Sequence, residues 1–299
     1  MSIGMSVPAM PCRSKTHPGW PHSFGQSGTV PAMADTAHPI ARPIARRFAE
    51  ALPTYDQAAD IQRRSAAGLV ARIATLPLPE APQILELGCG PGTLTGQLYR
   101  QFPRMQAVIS DIAPVMAAAC RDRLARQHQH DNAGIRRFVA MDGELPAVAD
   151  GSFDLICANL AVQWFCDLPK SLTRLMAALR PGGYLAVTTL GRETFKEWHA
   201  AHARLGLGAA TPVYPTVERL TAALSATAGI YLAREDLLES HHPTALDFLR
   251  SLRLIGADFP AAGSRPLSPG ALRRVLKELD ASERIVVSYQ IVTLVLQRL

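Results

Sequence analysis

The stretch ILELGCGPGTLTGQL, residues 84–98, changes character twice over a short distance. It begins apolar, as a buried strand does, then places Gly88, Gly90 and Gly92 at alternate positions, and continues with the composition of a helix. Glycine has no Cβ atom, so such a loop can turn sharply and let a ligand approach the backbone. The helix that follows begins with free N–H groups. The stretch therefore predicts a strand, a tight loop and a helix that together bind a nucleotide.

The residues around the glycines indicate the kind of ligand. A dinucleotide-binding loop would place its third glycine at position 93, where this chain has Thr93. Glu86 ends the strand, and its carboxylate would repel a phosphate group. The same carboxylate suits a cation such as the amino group of an amino acid. The stretch thus favours a cationic ligand over a pyrophosphate.

Strands and helices alternate after the loop. Apolar runs predict strands at 84–88, 106–110, 135–141, 153–158 and 183–190, with helices at 92–101, 114–127 and 168–179. Two short helices, separated near Pro53, precede this region. The last third predicts helices at 193–205, 217–226, 245–255 and 270–279, an extended segment at 230–238 and a closing strand at 284–299. Together these elements predict an α/β fold with a doubly wound, mostly parallel seven-stranded sheet.

Polar residues stand where the predicted strands end, in the order that a nucleoside site needs. Asp111 follows the second strand, where a carboxylate can accept both ribose hydroxyls. Asp142 follows the third strand and can accept from an adenine amino group, and Glu144 lies near enough to share that role. Asn159 ends the fourth strand. Ligands of open α/β sheets bind at these carboxyl ends, so we expect the four residues to line one site.

The pattern E-x-G-x-G-x-G, these strand-end residues and the turn LRPGGYLAV resemble class I S-adenosylmethionine-dependent methyltransferases. The resemblance implies the methyltransferase variant of the Rossmann-like fold, with a helical insertion for the methyl acceptor. It implies S-adenosyl-L-methionine as the cofactor. The residues that it implies for cofactor binding are Tyr55, Glu86, Gly88, Gly90, Gly92, Asp111, Ile112, Asp142, Gly143, Glu144, Asn159 and Leu160.

The methyl acceptor is indicated by what the sequence lacks. There is no N/D-P-P-Y/W signature, which marks methylation of amino groups in this fold, and no pair of residues stands out as a general base. The histidine pairs 128/130, 199/202 and 241/242 have no carboxylate at ligand spacing, so we expect surface histidines and no metal site. An acceptor that is already ionised, such as a carboxylate, needs only position and alignment.

Three stretches resemble the malonyl-acyl carrier protein O-methyltransferases of biotin synthesis: FAEALPTYDQAADIQRRSAAGLV, NLAVQW with LPKSLTRLMAALRPGGYLAVTTL, and FLRSLRLIGAD with VVSYQIVTLVL. The family esterifies the free carboxyl of a malonyl thioester, which agrees with the missing base. The resemblance implies that malonyl-acyl carrier protein or malonyl-CoA is the partner and that Gln163 and Trp164 contact substrate. Arg250 is the candidate for pairing with the malonyl carboxylate, with Arg253 as the substitute. Tyr55 could close over the methionine end of the cofactor.

Two alternatives remain open at this point. One is a methyltransferase for a small molecule of the quinone or trans-aconitate type. The other is an assembly factor of the same fold that binds the cofactor without methylating, although the assembly factor has HW where this chain has QW.

Amino-acid composition indicates the partners and the cellular compartment of the protein. The formal net charge of +6 suggests an acidic partner, while scattered basic residues and 6% aromatic content argue against nucleic acid. Five cysteines without a C-x-x-C pair favour a reducing compartment, and no apolar run reaches the roughly 18 residues that span a bilayer. We therefore expect a cytoplasmic protein that does not bind membranes.

The expected division of the chain follows from the same patterns. Residues 1–40 are rich in Pro, Gly and Ser and predict a disordered extension. Residues 41–299 predict a single methyltransferase domain. Within it we expect N-terminal helices at 41–80, a cofactor-binding core at 83–190 and an acceptor-side helical region at 191–280.

Overall fold

A computed structural model describes residues 41–127, 134, 136–222, 228–259, 264–281 and 284–299. The predicted extension at 1–40 lies outside the described residues. The strands are β1 (Gln83–Leu87), β2 (Gln106–Asp111), β3 (Arg136–Ala140), β4 (Phe153–Asn159), β5 (Leu179–Leu190), β6 (Ala228–His242) and β7 (Ile285–Arg298). The helices are α1 (Ala41–Ala51), α2 (Tyr55–Ala58), α3 (Asp60–Ile73), α4 (Thr93–Gln101), α5 (Pro114–Gln127), α6 (Leu168–Ala178), α7 (Lys196–Arg204), α8 (Val217–Ala222), α9 (Ala245–Leu254) and α10 (Pro269–Leu279). A single 3₁₀ turn covers Val162–Trp164.

The seven strands form one sheet in the order β3-β2-β1-β4-β5-β7-β6. The first five strands run parallel, and β7 is antiparallel to both β5 and β6. The chain reverses its direction of winding between β1 and β4, which are neighbours in the sheet. Ligands of doubly wound sheets bind outside the carboxyl ends of the strands at this reversal. The predicted α/β, mostly parallel seven-stranded sheet is confirmed.

The central strands are apolar on both faces because helices cover both sides of the sheet. Ile84 belongs to one buried cluster and Leu85 to another, as alternate residues of a strand must. A third apolar cluster lies among α7, α9, α10 and the early part of β7. This third cluster extends the core beyond the ends of β4 and β5, next to the edge where ligands bind.

Two elements differ from the predicted pattern. The segment before β1 forms three helices rather than two, because α2 makes a short turn after Pro53. The extended segment predicted at 230–238 is the middle of β6, which pairs with β7 along almost its whole length. Region 191–280 therefore supplies an edge strand of the main sheet as well as four helices. Backbone pairing with a distant partner sets the length of this strand, which local composition does not indicate.

Candidate active site

A pocket opens at the carboxyl ends of β1, β2 and β4, between the sheet edge and the N-terminal helices. Ten of the twelve residues predicted to bind the cofactor line this pocket, and Trp164, predicted to contact substrate, lines it too. The ten are Tyr55, Gly88, Gly90, Asp111, Ile112, Asp142, Gly143, Glu144, Asn159 and Leu160. Glu86 and Gly92 are not part of the lining. The topology thus brings the strand-end residues together, as expected from the sequence.

The glycine loop is close to other parts of the chain at two points. A Cβ atom on Gly88 would lie 2.5 Å from the Cβ of Ala161, and the φ angle of Gly88 is +67°. Gly92 has a φ of +100° and lies against Cys120, where a Cβ would come within 3.0 Å of Sγ. Gly88 therefore keeps the loop close to the end of β4 beside the pocket. Gly92 instead allows α4 to begin against α5.

Asp111 joins the glycine loop to the end of β2. Its Oδ2 accepts from the Gly90 N–H and its Oδ1 from the Ala113 N–H, both at 2.8 Å. Burial raises the pKa of Asp111 to about 6, although the two backbone hydrogen bonds act in the opposite direction. Each carboxylate oxygen has a second lone pair. The side chain is thus fixed in position and still able to accept hydrogen bonds from a ligand.

Asp142 has a buried acceptor without a partner. Its Oδ1 accepts from the Glu144 N–H at 3.0 Å, whereas Oδ2 is buried and has no hydrogen-bond partner. A buried carboxylate oxygen without a donor is costly, so a ligand that brings an N–H group would be stabilised here. This is the property expected of a residue that accepts from an adenine amino group.

Glu144 and Asn159 hold the walls of the pocket. The Glu144 carboxylate accepts from the Asp167 N–H at 3.0 Å and from the Ser171 hydroxyl at 3.2 Å, which ties it to the start of α6. Asn159 Oδ1 accepts from Ser65 at 2.7 Å and from Thr188 at 2.9 Å. The Asn159 amide also donates to the Gln62 carbonyl, so its side chain joins α3, β4 and β5. Both side chains are occupied by protein partners.

Leu160 has a backbone conformation that L-residues rarely adopt. Its φ is +50°. The Leu160 N–H donates to the Thr188 hydroxyl at 3.0 Å, and its carbonyl accepts from Gln163 Nε2 at 2.7 Å. Since Gln163 Nε2 faces that carbonyl, Oε1 points away from it, and Oε1 is buried without a partner. Such strain is stored at functional sites when the surroundings hold it in place.

Glu86 lies behind the pocket. It is 1% exposed, its Oε1 accepts from the Thr95 hydroxyl at 3.0 Å, and its Oε2 is buried without a partner. Burial raises the pKa of Glu86 to about 8, and the nearby Asp111 carboxylate adds to the increase. A neighbouring cation would reverse this shift. The position agrees with a carboxylate that compensates a positive ligand from behind the loop rather than by lining the pocket.

The N-terminal helices form a roof over the pocket. Ala41, Ile44 and Phe48 of α1 line it together with Tyr55 of α2. Phe48 contacts the Trp164 ring edge-on at 5.6 Å between centroids. Sequence reasoning did not identify these α1 residues. Their helical spacing predicts an apolar face but cannot say what that face covers.

Interactions at the turn after α9 hold the roof in place. Trp164 contacts Phe259 at 5.6 Å between ring centroids, and Arg47 pairs with Asp258 at 3.3 Å. The Thr54 hydroxyl also donates to the Leu254 carbonyl at 2.9 Å. The roof therefore depends on a segment about 200 positions later in the chain.

The two predicted carboxylate-binding arginines lie elsewhere. Arg250 pairs with Asp247 at 3.0 Å, and Arg253 pairs with Asp258 at 3.3 Å; both side chains are largely exposed. Neither arginine lines the pocket. Their assignment to the substrate carboxylate stays a prediction.

The histidines follow the expectation only in part. His128 and His130 lie outside the described residues, and His241 is exposed. The prediction that His202 is a surface residue is wrong: it is 1% exposed, and its Nδ1 lies 2.9 Å from the Trp198 carbonyl. One ring nitrogen that bonds to the preceding helical turn lets the imidazole be buried.

The described residues form neither a metal site nor a membrane-spanning helix. No group of three or more His, Cys, Asp or Glu side chains is arranged to hold a metal ion within that part of the chain. None of the helices built from those residues has both the length and the apolar content to cross a membrane.

Known proteins are similar in sequence to this chain. Residues 85–187 match the family model described as "Methyltransferase domain". The chain is 47% identical over 249 residues to the biotin biosynthesis bifunctional protein BioCD of Bordetella avium. The aligned region makes up 83% of this chain and 51% of that longer protein. It is 38% identical over 234 residues to the malonyl-acyl carrier protein O-methyltransferase of Magnetococcus marinus. This alignment covers 78% of this chain and 84% of the relative.

The fold is shared with more distant structures. The crystal structure of geranyl diphosphate C-methyltransferase from Streptomyces coelicolor, in complex with S-adenosyl-L-homocysteine, superposes with a TM-score of 0.54. The match has 14% sequence identity and covers 89% of this chain and 100% of that chain. At this identity the likeness concerns the fold alone.

Proposed function

Since the chain belongs to the malonyl-acyl carrier protein O-methyltransferase family of S-adenosylmethionine-dependent enzymes, we propose that it methylates the free carboxyl group of a malonyl thioester on acyl carrier protein. This ester is formed at an early step of biotin synthesis. The reaction takes place in the cytoplasm. The observation that carries the assignment of the pocket to the cofactor is the buried, partnerless Oδ2 of Asp142, which supports a nucleoside with an amino group.

The residues of the pocket fit the parts of this cofactor. Asp111 accepts hydrogen bonds from the ribose hydroxyls while the backbone of Gly90 and Ala113 holds its carboxylate. Asp142 accepts from the adenine amino group. Glu86 offers negative charge behind the loop for the ammonium group of the methionine part. Together these carboxylates supply acceptors for the donor groups that the cofactor carries.

When bound, S-adenosylmethionine would supply an electrophilic methyl group: a carboxylate oxygen of the acceptor would bond to the methyl carbon as the methyl–sulfur bond breaks, with the electron pair of that bond staying on sulfur. The charges of carboxylate and sulfonium cancel during the transfer, and no proton moves. The protein therefore needs no general base. It needs to hold the carboxylate in line with the methyl group and to exclude water, which would stabilise the separated charges. The apolar roof with Ile44 and Phe48 serves this second purpose.

The carrier protein is captured by charge. Arg273, Arg274 and Lys277 are exposed on α10, the helix that packs beside α7 and α9. Acyl carrier protein is acidic, so long-range attraction to this face increases the rate of encounter. Malonyl-CoA, which lacks the carrier surface, would not use these contacts.

Transfer of a labelled methyl group tests the proposal. The protein is incubated with labelled S-adenosylmethionine and with malonyl-, acetyl- or succinyl-acyl carrier protein. We expect label on the malonyl form and almost none on the other two, because acetyl lacks a carboxylate and succinyl places it one carbon further away. Equal labelling of all three, or of none, would rule out the malonyl thioester. Labelling of a quinone or of trans-aconitate instead would favour a small-molecule methyltransferase.

A further inference from the structure

The apolar cluster beyond the ends of β4 and β5 shares one wall with the cofactor pocket. Leu160 lines the pocket and also packs against this cluster, which includes Phe195 and Phe248. We call it the acceptor-side cluster. Since the methyl acceptor must reach the cofactor from a side that the cofactor does not occupy, a cluster that adjoins Leu160 is a suitable place for it.

Two tyrosines of the acceptor-side cluster have hydroxyl groups without a partner. Tyr289 of β7 is 6% exposed, and its ring contacts Phe195 edge-on at 4.9 Å between centroids. Tyr214 is half-buried and packs against the same cluster. Neither hydroxyl forms a hydrogen bond to any residue that the structure describes. Neither hydroxyl oxygen is sealed from solvent, so both phenols are accessible as donors to a ligand.

The two phenols lie near enough to affect each other. Burial raises the pKa of both tyrosines above the ordinary range, and the Tyr214 phenol adds to the increase at Tyr289. Both hydroxyls therefore keep their protons throughout the physiological pH range. They form a pair of neutral donors within an apolar surrounding.

A malonyl carboxylate that enters this region needs hydrogen-bond donors. An ionised group in an apolar surrounding is strongly destabilised unless it is hydrogen-bonded. Among the described residues no Lys or Arg side chain is buried. Arg250 and Arg253, the cations considered from the sequence, are exposed and paired with carboxylates. Neutral donors inside the cluster are the alternative.

We propose that the hydroxyl groups of Tyr214 and Tyr289 bind the carboxylate of the methyl acceptor, donating to the oxygen that is not methylated. This inference rests on the proposed function, because it assigns the residues that recognise the acceptor of that reaction. Neutral donors hold the carboxylate in place without a neighbouring full charge, which would withdraw electron density from the attacking oxygen.

The test compares Tyr289→Phe and Tyr214→Phe with a matched control. Tyr231→Phe removes a hydroxyl from the half-exposed ring on β6 and serves as that control. For each variant we would measure kcat and KM with malonyl-acyl carrier protein, and the dissociation constant of S-adenosylhomocysteine. Loss of a hydrogen bond to a charged group should lower kcat/KM by about tenfold or more in each of the two variants. Binding of S-adenosylhomocysteine and the activity of Tyr231→Phe should stay at the wild-type level.

Two results would overturn the assignment. One is a kcat/KM for both variants that matches that of Tyr231→Phe. The other is an equal loss of S-adenosylhomocysteine affinity, because it would mean that the hydroxyls support the fold rather than the acceptor. Wild-type protein that labels no malonyl substrate would instead refute the proposed function, so the two failures can be told apart.

Discussion

The protonation state of Asp111 should set how tightly the cofactor binds at mildly acidic pH. Both of its oxygens accept backbone N–H groups at 2.8 Å, and burial raises its pKa from 3.8 to about 6. Ribose hydroxyls donate to an ionised carboxylate more strongly than to a protonated one. Binding of S-adenosylhomocysteine should therefore weaken as the pH falls through 6. The direction follows from the raised pKa, since the free protein takes up a proton that binding must remove.

The size of the effect follows from the same pKa. With a pKa of about 6, roughly nine-tenths of the Asp111 side chains are ionised at pH 7 and roughly one-tenth at pH 5. The dissociation constant should rise about tenfold between these values, which corresponds to about 1.4 kcal/mol. Glu86, whose pKa is about 8 in the free protein, is also mostly protonated over this range, and the ammonium group of the ligand would lower that pKa. The part of the pH dependence that belongs to Asp111 is therefore the difference between the wild type and a variant without this carboxylate.

Substitution of Asp111 by Asn should remove this dependence and weaken binding. An amide has a single carbonyl oxygen, so one of the N–H groups of Gly90 and Ala113 would face an NH₂ group. At pH 7 we expect a loss of about 1.5–3 kcal/mol of binding free energy, the range for hydrogen bonds to charged groups. Between pH 7 and pH 5 the dissociation constant of Asp111→Asn should then rise about tenfold less than that of the wild type.

Isothermal titration calorimetry with S-adenosylhomocysteine at pH 5, 6 and 7 measures both effects. Repeating each titration in two buffers of different ionisation enthalpy counts the protons released on binding, and near pH 5 the wild type should release about one proton more than Asp111→Asn. Asp122→Asn, an exposed carboxylate on α5, is the matched control and should keep the wild-type dependence. A wild-type affinity that is the same at pH 5 and pH 7, or an unchanged slope in Asp111→Asn, would refute the reasoning.

The buried Glu86, the crowded Gly88 and the basic face of α10 can each be tested by substitution. Burial raises the pKa of Glu86 from 4.5 to about 8. The contribution of protonated Glu86 to the free energy of unfolding is therefore complete below about pH 4.5, falls as the pH increases, and is lost as the pH rises through 8. Glu86→Gln should remove this slope from the free energy of unfolding, measured in urea from pH 5 to 9; a persistent slope would assign it to another group. Gly88→Ala would place a Cβ 2.5 Å from a neighbouring Cβ and should abolish S-adenosylhomocysteine binding, whereas Gly151→Ala, at a similar φ of +63° but in open space, should retain it. Replacement of Arg273 and Arg274 by Glu should raise KM for malonyl-acyl carrier protein severalfold at low salt and leave KM for malonyl pantetheine unchanged. Equal changes of KM for both substrates would exclude a docking role for these arginines.

The cofactor side of the site could be predicted because sheet topology determines it. Parallel strands end at one edge, so Asp111, Asp142 and Asn159 had to lie near each other once β2, β3 and β4 were recognised. What each side chain does there was less predictable. Asn159 is hydrogen-bonded to Ser65, Thr188 and Gln62, and Glu86 does not line the pocket. Local sequence identifies the position of a polar residue but not the partners that the fold brings to it.

The roof and the acceptor-side cluster depend on contacts between distant parts of the chain. Arg47 pairs with Asp258, and Tyr214 packs against the same apolar cluster as Tyr289, across sequence separations that no periodicity indicates. Arg250 was a reasonable candidate from the chemistry of arginine and carboxylate. Asp247, three residues earlier on the same helix, competes with a substrate carboxylate for Arg250. The sequence contains both possible partners of this arginine. The choice between these partners is made by the orientation of α9, which only the packing of the whole molecule sets.

The charges of the reaction explain why the two halves of the site differ. The cofactor is cationic, and the pocket that it fits is lined by Asp111 and Asp142 with Glu86 behind them. The acceptor is anionic, yet the cluster beside Leu160 offers neutral phenols rather than buried cations. A buried cation next to the acceptor would keep its charge after the transfer, when the neutral ester no longer balances it, and such an unpaired buried charge is costly. Neutral donors avoid that cost, because sulfonium and carboxylate neutralise each other within the same step and both products can leave a site that has gained no net charge.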